Sequence, residues 1–335
     1  MNELIKLIVS TLGREHPTNL KATPDRSQQY SNLFPDNKDF FKSLNSKSAS
    51  DIAMNTYVKK IFQGNPWLEE IRDDFIFSNV YSDKESTKSI PIGDGKSLIV
   101  LDSHIQKYLW MMNKSHIYGG FNLSSEENIQ LYAEIFLHFS SIIISNSKKA
   151  FPKPKTPSHK TKEEFYTLAL HTEIQEIFLI CHEIGHALIK TQKHEDRIDT
   201  VSQVRSRFIE ESLNLSASSE LVDEEIMADE IAFEMTLNVY GRDKQEIVEV
   251  ISTAIFLVIR YFLWLRVVYK TSEEDFELGM WLSRNSFIRE KVRHVYHWNS
   301  PDFLIMLLEY LEERMEPAAL IAKEMVDEVR AAGEL

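Results

Sequence analysis

The stretch from Ile174 to Leu188 limits what this chain can fold into more than any other. Ile174, Ile177, Phe178, Cys181, Ile184 and Leu188 recur at helical spacing and define a core-facing stripe. The pattern extends into a long helix running roughly from Lys162 to Lys190. His182 and His186 are four residues apart on it, so they stand one turn above the other and point the same way. They fall about 100–140° from Cys181, on the shoulder of the apolar stripe. That position predicts half-buried imidazoles on the wall of a cleft, with Glu173, Glu176 and Lys190 on the wetter sides. Gly185 removes a side chain beside His186, which lets another segment approach closely.

Two imidazoles at this spacing can grip a zinc ion, and Glu183 beside the first can reach a water on the same ion. Catalytic zinc takes three protein ligands and keeps one position for water. A third histidine six residues on is absent, because Ile189 and Gln192 stand where Gly and His would be needed. The third ligand is therefore expected from a carboxylate on a later helix, Glu224 to Phe233. There Glu225, Ala228, Asp229, Ala232 and Thr236 form one narrow strip, walled by Ile226, Phe233 and Leu237 on one side and Ile231 and Met235 on the other. Carboxylates in such a strip need partners. Glu225 is assigned as third ligand and Asp229 as acceptor for the free N–H of a ligating imidazole. Glu224 and Glu230 stand as alternatives to Glu225. The two alanines let this helix lie close against the first.

The pattern His182-Glu183-x-x-His186 followed by Glu225-x-x-Ala228-Asp229 resembles the gluzincin zinc metallopeptidases. It is similar to that of intracellular bacterial peptidases of the CAAX-processing and repressor-cleaving types. The position of the motif just past mid-chain also resembles the phage-exclusion (Lit-type) peptidases. The resemblance covers Ile174 to Leu237. It implies a zincin-like core with a small sheet, and a hydrolase in which His182, His186 and Glu225 hold Zn2+. Glu183 would take a proton from the metal-activated water and deliver it to the leaving amine. A donor facing the developing oxyanion is expected from the C-terminal part. Trp281 to Ser300 offers His297 and Tyr296 first, then His294, in a cluster with Arg289 and Arg293. The implied substrate is a protein or peptide, and the phage-exclusion likeness implies one specific target and a regulatory partner. The competing class is a non-catalytic zinc-binding sensor or interaction protein, its structural metal closed by His194, His294 or His297 as a fourth ligand.

Composition bounds the rest. The 335 residues suffice for one large or two ordinary domains, and 43% hydrophobic with 27% charged residues is ordinary for a soluble globular protein. A net charge of −13 argues against a nucleic-acid binder and against an anionic membrane surface. The single cysteine, Cys181, excludes an intrachain disulfide, suits a reducing compartment, and reads as a small buried core residue. Met1 to Ser10 makes a poor signal peptide. Val250 to Val268 is apolar enough to raise the question of a membrane span, but Arg260 and Arg266 favour a buried helix. The cytoplasm is the expected location.

The fold class expected is α+β and predominantly helical. An N-terminal part, 1–160, carries helices and a small β-hairpin or sheet, and a helical part, 161–335, carries both motifs. Asp51 to Phe77 reads as helix, with Ile52, Tyr57, Ile61 and Trp67 toward the core, and Ser78 to Ser89 as polar. Ser89 to Asp102 reads as a hairpin around Gly93-Asp94-Gly95, and the zincin resemblance implies that Leu98 to Leu101 belongs to a small sheet whose edge strand pairs with extended substrate. Leu131 to Ser145 reads as an apolar helix. Ser147 to Lys162, with Pro152, Pro154 and Pro157 among its lysines, reads as an extended linker.

Overall fold

The structure is a computed structural model that describes residues 14–15, 49–81, 87–93, 95–119, 123–145, 151–157, 161–190, 220–241, 243–269, 275–295 and 302–332. It is predominantly helical with one small sheet. In chain order the elements are β1 (Arg14–Glu15), α1 (Ala49–Gly64), a 3-10 stretch (Pro66–Asp74), β2 (Phe75–Tyr81), β3 (Lys88–Gly93), β4 (Lys96–Asp102) and α2 (Ser103–Lys114). After a short π-helical turn follow α3 (Ser125–Ser145), α4 (Lys162–Lys190), α5 (Glu220–Tyr240), α6 (Gln245–Tyr269), α7 (Asp275–Val295) and α8 (Asp302–Ala331).

Local chemistry sets several of these boundaries. Thr161 and Glu164 form a reciprocal capping box at the start of α4: the Glu164 N–H donates to Thr161 Oγ1 at 3.1 Å, and the Thr161 N–H donates to Glu164 Oε2 at 3.2 Å. Ser124 and Glu127 do the same for α3, and Asp102 caps α2 through the His104 N–H at 2.8 Å. At the end of α5, Gly241 takes φ +93° and its N–H returns to the Leu237 carbonyl, a glycine-dependent stop.

The sheet has the order β1-β2-β4-β3. The expected hairpin is present: β3 and β4 pair antiparallel, with Ser89 opposite Ile99 and Ile90 opposite Leu98, and Gly95 supplies the positive φ of the turn. Leu98 to Leu101 lies on β4, which is internal; the edge strand beside it is β3. β4 reads as a continuous apolar run because both its faces are covered. Ile99 and Leu101 enter the main core, while Leu98 and Val100 pack with Ile76, Ile90 and Ile92 on the other face.

β2 departs from the sequence reading, which carried a helix through to Phe77 and left Ser78 to Ser89 polar. The helix stops at Gly64 because Pro66 disfavours helical geometry at Asn65, which sits at φ −126°, ψ 71°. Phe75 to Val80 then pairs in parallel with Ser97 to Asp102, a partnership made across the chain and invisible to local periodicity. Of the expected contacts, Ile61 is buried, and Tyr57 and Trp67 pack partly buried against the core. Residues 151–157 carry no regular secondary structure, as the Pro/Lys composition predicts.

One apolar cluster draws side chains from Met54 in α1 through to Val326 in α8, so residues on both sides of position 160 share it. At its centre lies α4, buried almost without interruption from Ile174 to Leu188. Glu176, expected on a wet face, is buried too: Gln106 Nε2 donates to its Oε2 at 3.2 Å and Tyr57 also donates to it. Burial raises its carboxyl to about 7. α6 is the one helix among the described residues long and apolar enough to cross a membrane, and 67% of its most apolar window is buried inside the protein.

Candidate metal centre

α4 and α5 pack against each other through Gly185 and Ala228. A Cβ on Gly185 would stand 3.1 Å from Ala228 Cα and 3.2 Å from its carbonyl oxygen, so the absent side chain is what permits the approach. That contact brings the ends of three side chains together. His182 Nε2 and His186 Nε2 are 3.0 Å apart. Glu225 Oε2 is 3.3 Å from the first and its Oε1 3.3 Å from the second. His182, His186 and Glu225 form a group that can hold a metal ion. Donors about 2.0–2.1 Å from a tetrahedrally bound ion lie roughly 3.3–3.4 Å from one another; the two Glu225 distances match that spacing and the distance between the imidazoles is shorter.

The far nitrogen of each imidazole meets a different carboxylate. His182 Nδ1 lies 2.9 Å from Asp229 Oδ1, close but out of line for a straight hydrogen bond. His186 Nδ1 lies 2.9 Å from Glu224 Oε1, and Glu224 also pairs with Lys190 Nζ at 3.0 Å. Both rings are thus held with Nε2 toward the centre, the arrangement that fixes tautomer and orientation in metal-ligating histidines. Of the three acids considered for the third position, Glu225 reaches the two Nε2 atoms. Glu224 serves the back of His186, and Glu230 turns to Lys291 Nζ at 3.2 Å.

Arg284 on α7 closes the cluster, and sequence reasoning missed it. Its Nε and NH2 donate to Asp229 Oδ2 and Oδ1, each at 2.8 Å, its NH1 lies 3.0 Å from Glu225 Oε2, and its guanidinium stacks 4.3 Å from the Trp281 ring centroid. The signal was there to read: Arg284 follows Trp281 by three and precedes Ile288 by four, so an arginine stands inside an apolar helix stripe.

The electrostatics follow from these contacts. Burial and Arg284 press the His182 imidazolium down, but Asp229 and Glu225 outweigh them and lift it to about 9. Burial opposes ionisation of Glu225 and Asp229, yet Arg284 and both imidazoles hold Glu225 well below the usual carboxylate range, and Arg284 and His182 lower Asp229. Glu183 behaves differently. Burial raises its carboxyl, while the two imidazoles and a hydrogen bond from the Ser89 backbone on β3 pull it back only in part.

The centre opens onto a cleft of about 310 Å³. The cleft is lined by Thr87, by Lys88 and Ser89 of β3, by His182, Glu183, His186 and Glu225, and by the apolar Phe262, Met280 and Trp281. His294 falls on α7, but its side chain is outside the described residues, as are Tyr296, His297 and His194. Arg289 is exposed. Cys181 is buried, as expected, and burial pushes its thiol far up.

Comparison of the chain with protein-family models, with curated proteins and with solved structures finds no match in any of the three.

Proposed function

We propose that the chain is a zinc-dependent endopeptidase that hydrolyses a peptide bond in the cleft between the β3 edge and α7. The observation that carries this reading is the division of labour at the centre. Two imidazoles and a carboxylate offer donor atoms within 4.8 Å of one another, while Glu183, next in sequence to one of them, stays outside the triad and lines the same cleft. A bound zinc ion would supply a Lewis acid that acidifies a water and polarises the scissile carbonyl.

The remaining roles belong to the chain's own residues. Glu183 accepts a proton from the attacking water and returns it to the leaving amine, a task that suits a carboxyl raised by burial above its ordinary value. The Ser89 N–H orients that carboxylate. Asp229 and Glu224 keep the imidazoles in register. The β3 edge offers backbone groups to an extended substrate, and Phe262, Met280 and Trp281 receive an apolar side chain. The buried single thiol is compatible with work in the cytoplasm on a protein substrate.

The decisive experiment uses Glu183→Gln. It should retain one zinc per chain and lose about 10²–10⁴-fold in hydrolysis. Lysates treated with wild type and with this variant are compared by mass spectrometry of new chain termini. New termini with wild type alone support the reading, and equal cleavage by both proteins refutes Glu183 as the base.

A further inference from the structure

Both oxygens of Glu225 face the imidazole pair, Oε2 toward His182 and Oε1 toward His186, each at 3.3 Å. Such a carboxylate can give an ion one oxygen or two. Arg284 distinguishes them. Its NH1 sits 3.0 Å from Oε2, and its other two nitrogens are tied to Asp229 at 2.8 Å. The guanidinium is 4% exposed and lies against Trp281, so the fork is fixed at three points and on one face. An oxygen that accepts from a guanidinium has less electron density to offer a second cation.

We propose that Arg284 is a positioning residue that reserves Oε2 of Glu225 and leaves Oε1 to the metal, so that the carboxylate fills one coordination position. The inference rests on the metal reading above but not on the hydrolytic one. Arg284 is also the buried positive charge that Glu225 and Asp229 share. Lysine would restore the charge without the planar fork that holds Asp229 and Oε2 together.

The test is the visible spectrum of the full-length protein loaded with cobalt(II), whose absorption is strong at four-coordinate sites and much weaker at five-coordinate ones. Wild type should show the strong band. Arg284→Gln, at saturating cobalt, should show the weak one as Glu225 closes on the ion with both oxygens, with an affinity loss of about 10–100-fold. Arg284→Lys should weaken the band as well. Because Arg284→Gln strands a buried aspartate, the double variant Asp229→Asn/Arg284→Gln repeats the measurement without an unpaired charge and leaves an acceptor for His182. Circular dichroism confirms that each variant folds.

A wild-type band in the folded double variant overturns the proposal. So does a folded double variant that takes no cobalt at saturation, since Arg284 would then govern occupancy rather than coordination. A wild type that binds no cobalt sinks the metal reading together with this inference. A cobalt difference as expected, in a zinc protein that cleaves nothing, sinks only the hydrolytic reading.

Discussion

Two cations on α7, seven residues and two turns apart, meet two pairs of acids on α5. Arg284 takes Glu225 and Asp229. Lys291 takes Glu230 and Glu234, at 3.2 and 2.9 Å, with its ammonium 5.2 Å from the Phe233 ring centroid. Each pair of acids is four apart, and each cation is almost wholly buried. The difference lies in what stands on the other side. Glu230 is buried, and Glu234 reaches solvent. Behind Glu225 and Asp229 stand two imidazoles and an open cleft. The first arrangement is an ion pair that joins two helices. The second turns a carboxylate and two imidazoles toward a point where a metal ion can be held. Similar side chains on the same two helices thus serve cohesion at one level and chemistry at the next.

Perturbing one cluster should leave the other's property untouched. The largest effect is expected at the metal. Glu225→Ala should weaken zinc binding by more than about 100-fold, beyond what losing a supporting contact costs; elemental analysis of dialysed protein would show near-empty chains, with the circular dichroism spectrum unchanged. Lys291→Met should do the reverse. It removes the buried cation that Glu230 and Glu234 share, costing about 3–5 kcal/mol in urea unfolding, while zinc content of the folded protein stays at one per chain. Zinc loss from Lys291→Met under native conditions would mean that the clusters are one unit.

Glu176 supplies a third case, a buried carboxyl that accepts from two neutral donors, Gln106 and Tyr57. Its folded-state value of about 7 lies above the ordinary 4.5, so the native state holds a proton that the unfolded chain has released. Its stabilising contribution is therefore complete below about pH 4.5 and lost as pH rises through 7. Wild type should lose about 3 kcal/mol relative to Glu176→Gln between pH 4.5 and 8, read as a steeper fall in urea midpoint. Equal slopes would show that Glu176 is ionised throughout. The smallest effect is expected at Gly185→Ala. The added methyl must push α5 away at Ala228, costing about 1–3 kcal/mol and lengthening the reach from Glu225 to the imidazoles, seen as a several-fold drop in zinc affinity.

What the sequence disclosed was what travels along one helix or between two motifs. The stripe of α4, the same-face histidines and the Glu225/Asp229 strip need only helical periodicity, and the Gly185–Ala228 contact follows from two small residues on facing surfaces. Arg284 escaped because the polar cluster that draws the eye, Arg289 to His297, stands further along the chain. The contribution of α7 lies almost three turns before His294, inside an apolar stripe. Glu176 was misplaced for a different reason. Its cover comes from Tyr57 on α1 and Gln106 on α2, far away in the chain, and α4 has no wet face along that length. The strand β2 likewise exists because β4 lies beside it.

The encirclement of α4 has a dynamic corollary. A helix covered on all sides by α1, α2, α5, α6 and the sheet cannot fray from one flank, so its central amides should exchange with solvent only when the whole molecule opens. His182 and His186 ride on that rigid spindle. Ligand geometry should hold up to the unfolding temperature and then vanish in the same step, and any breathing that admits a substrate must belong to the rim.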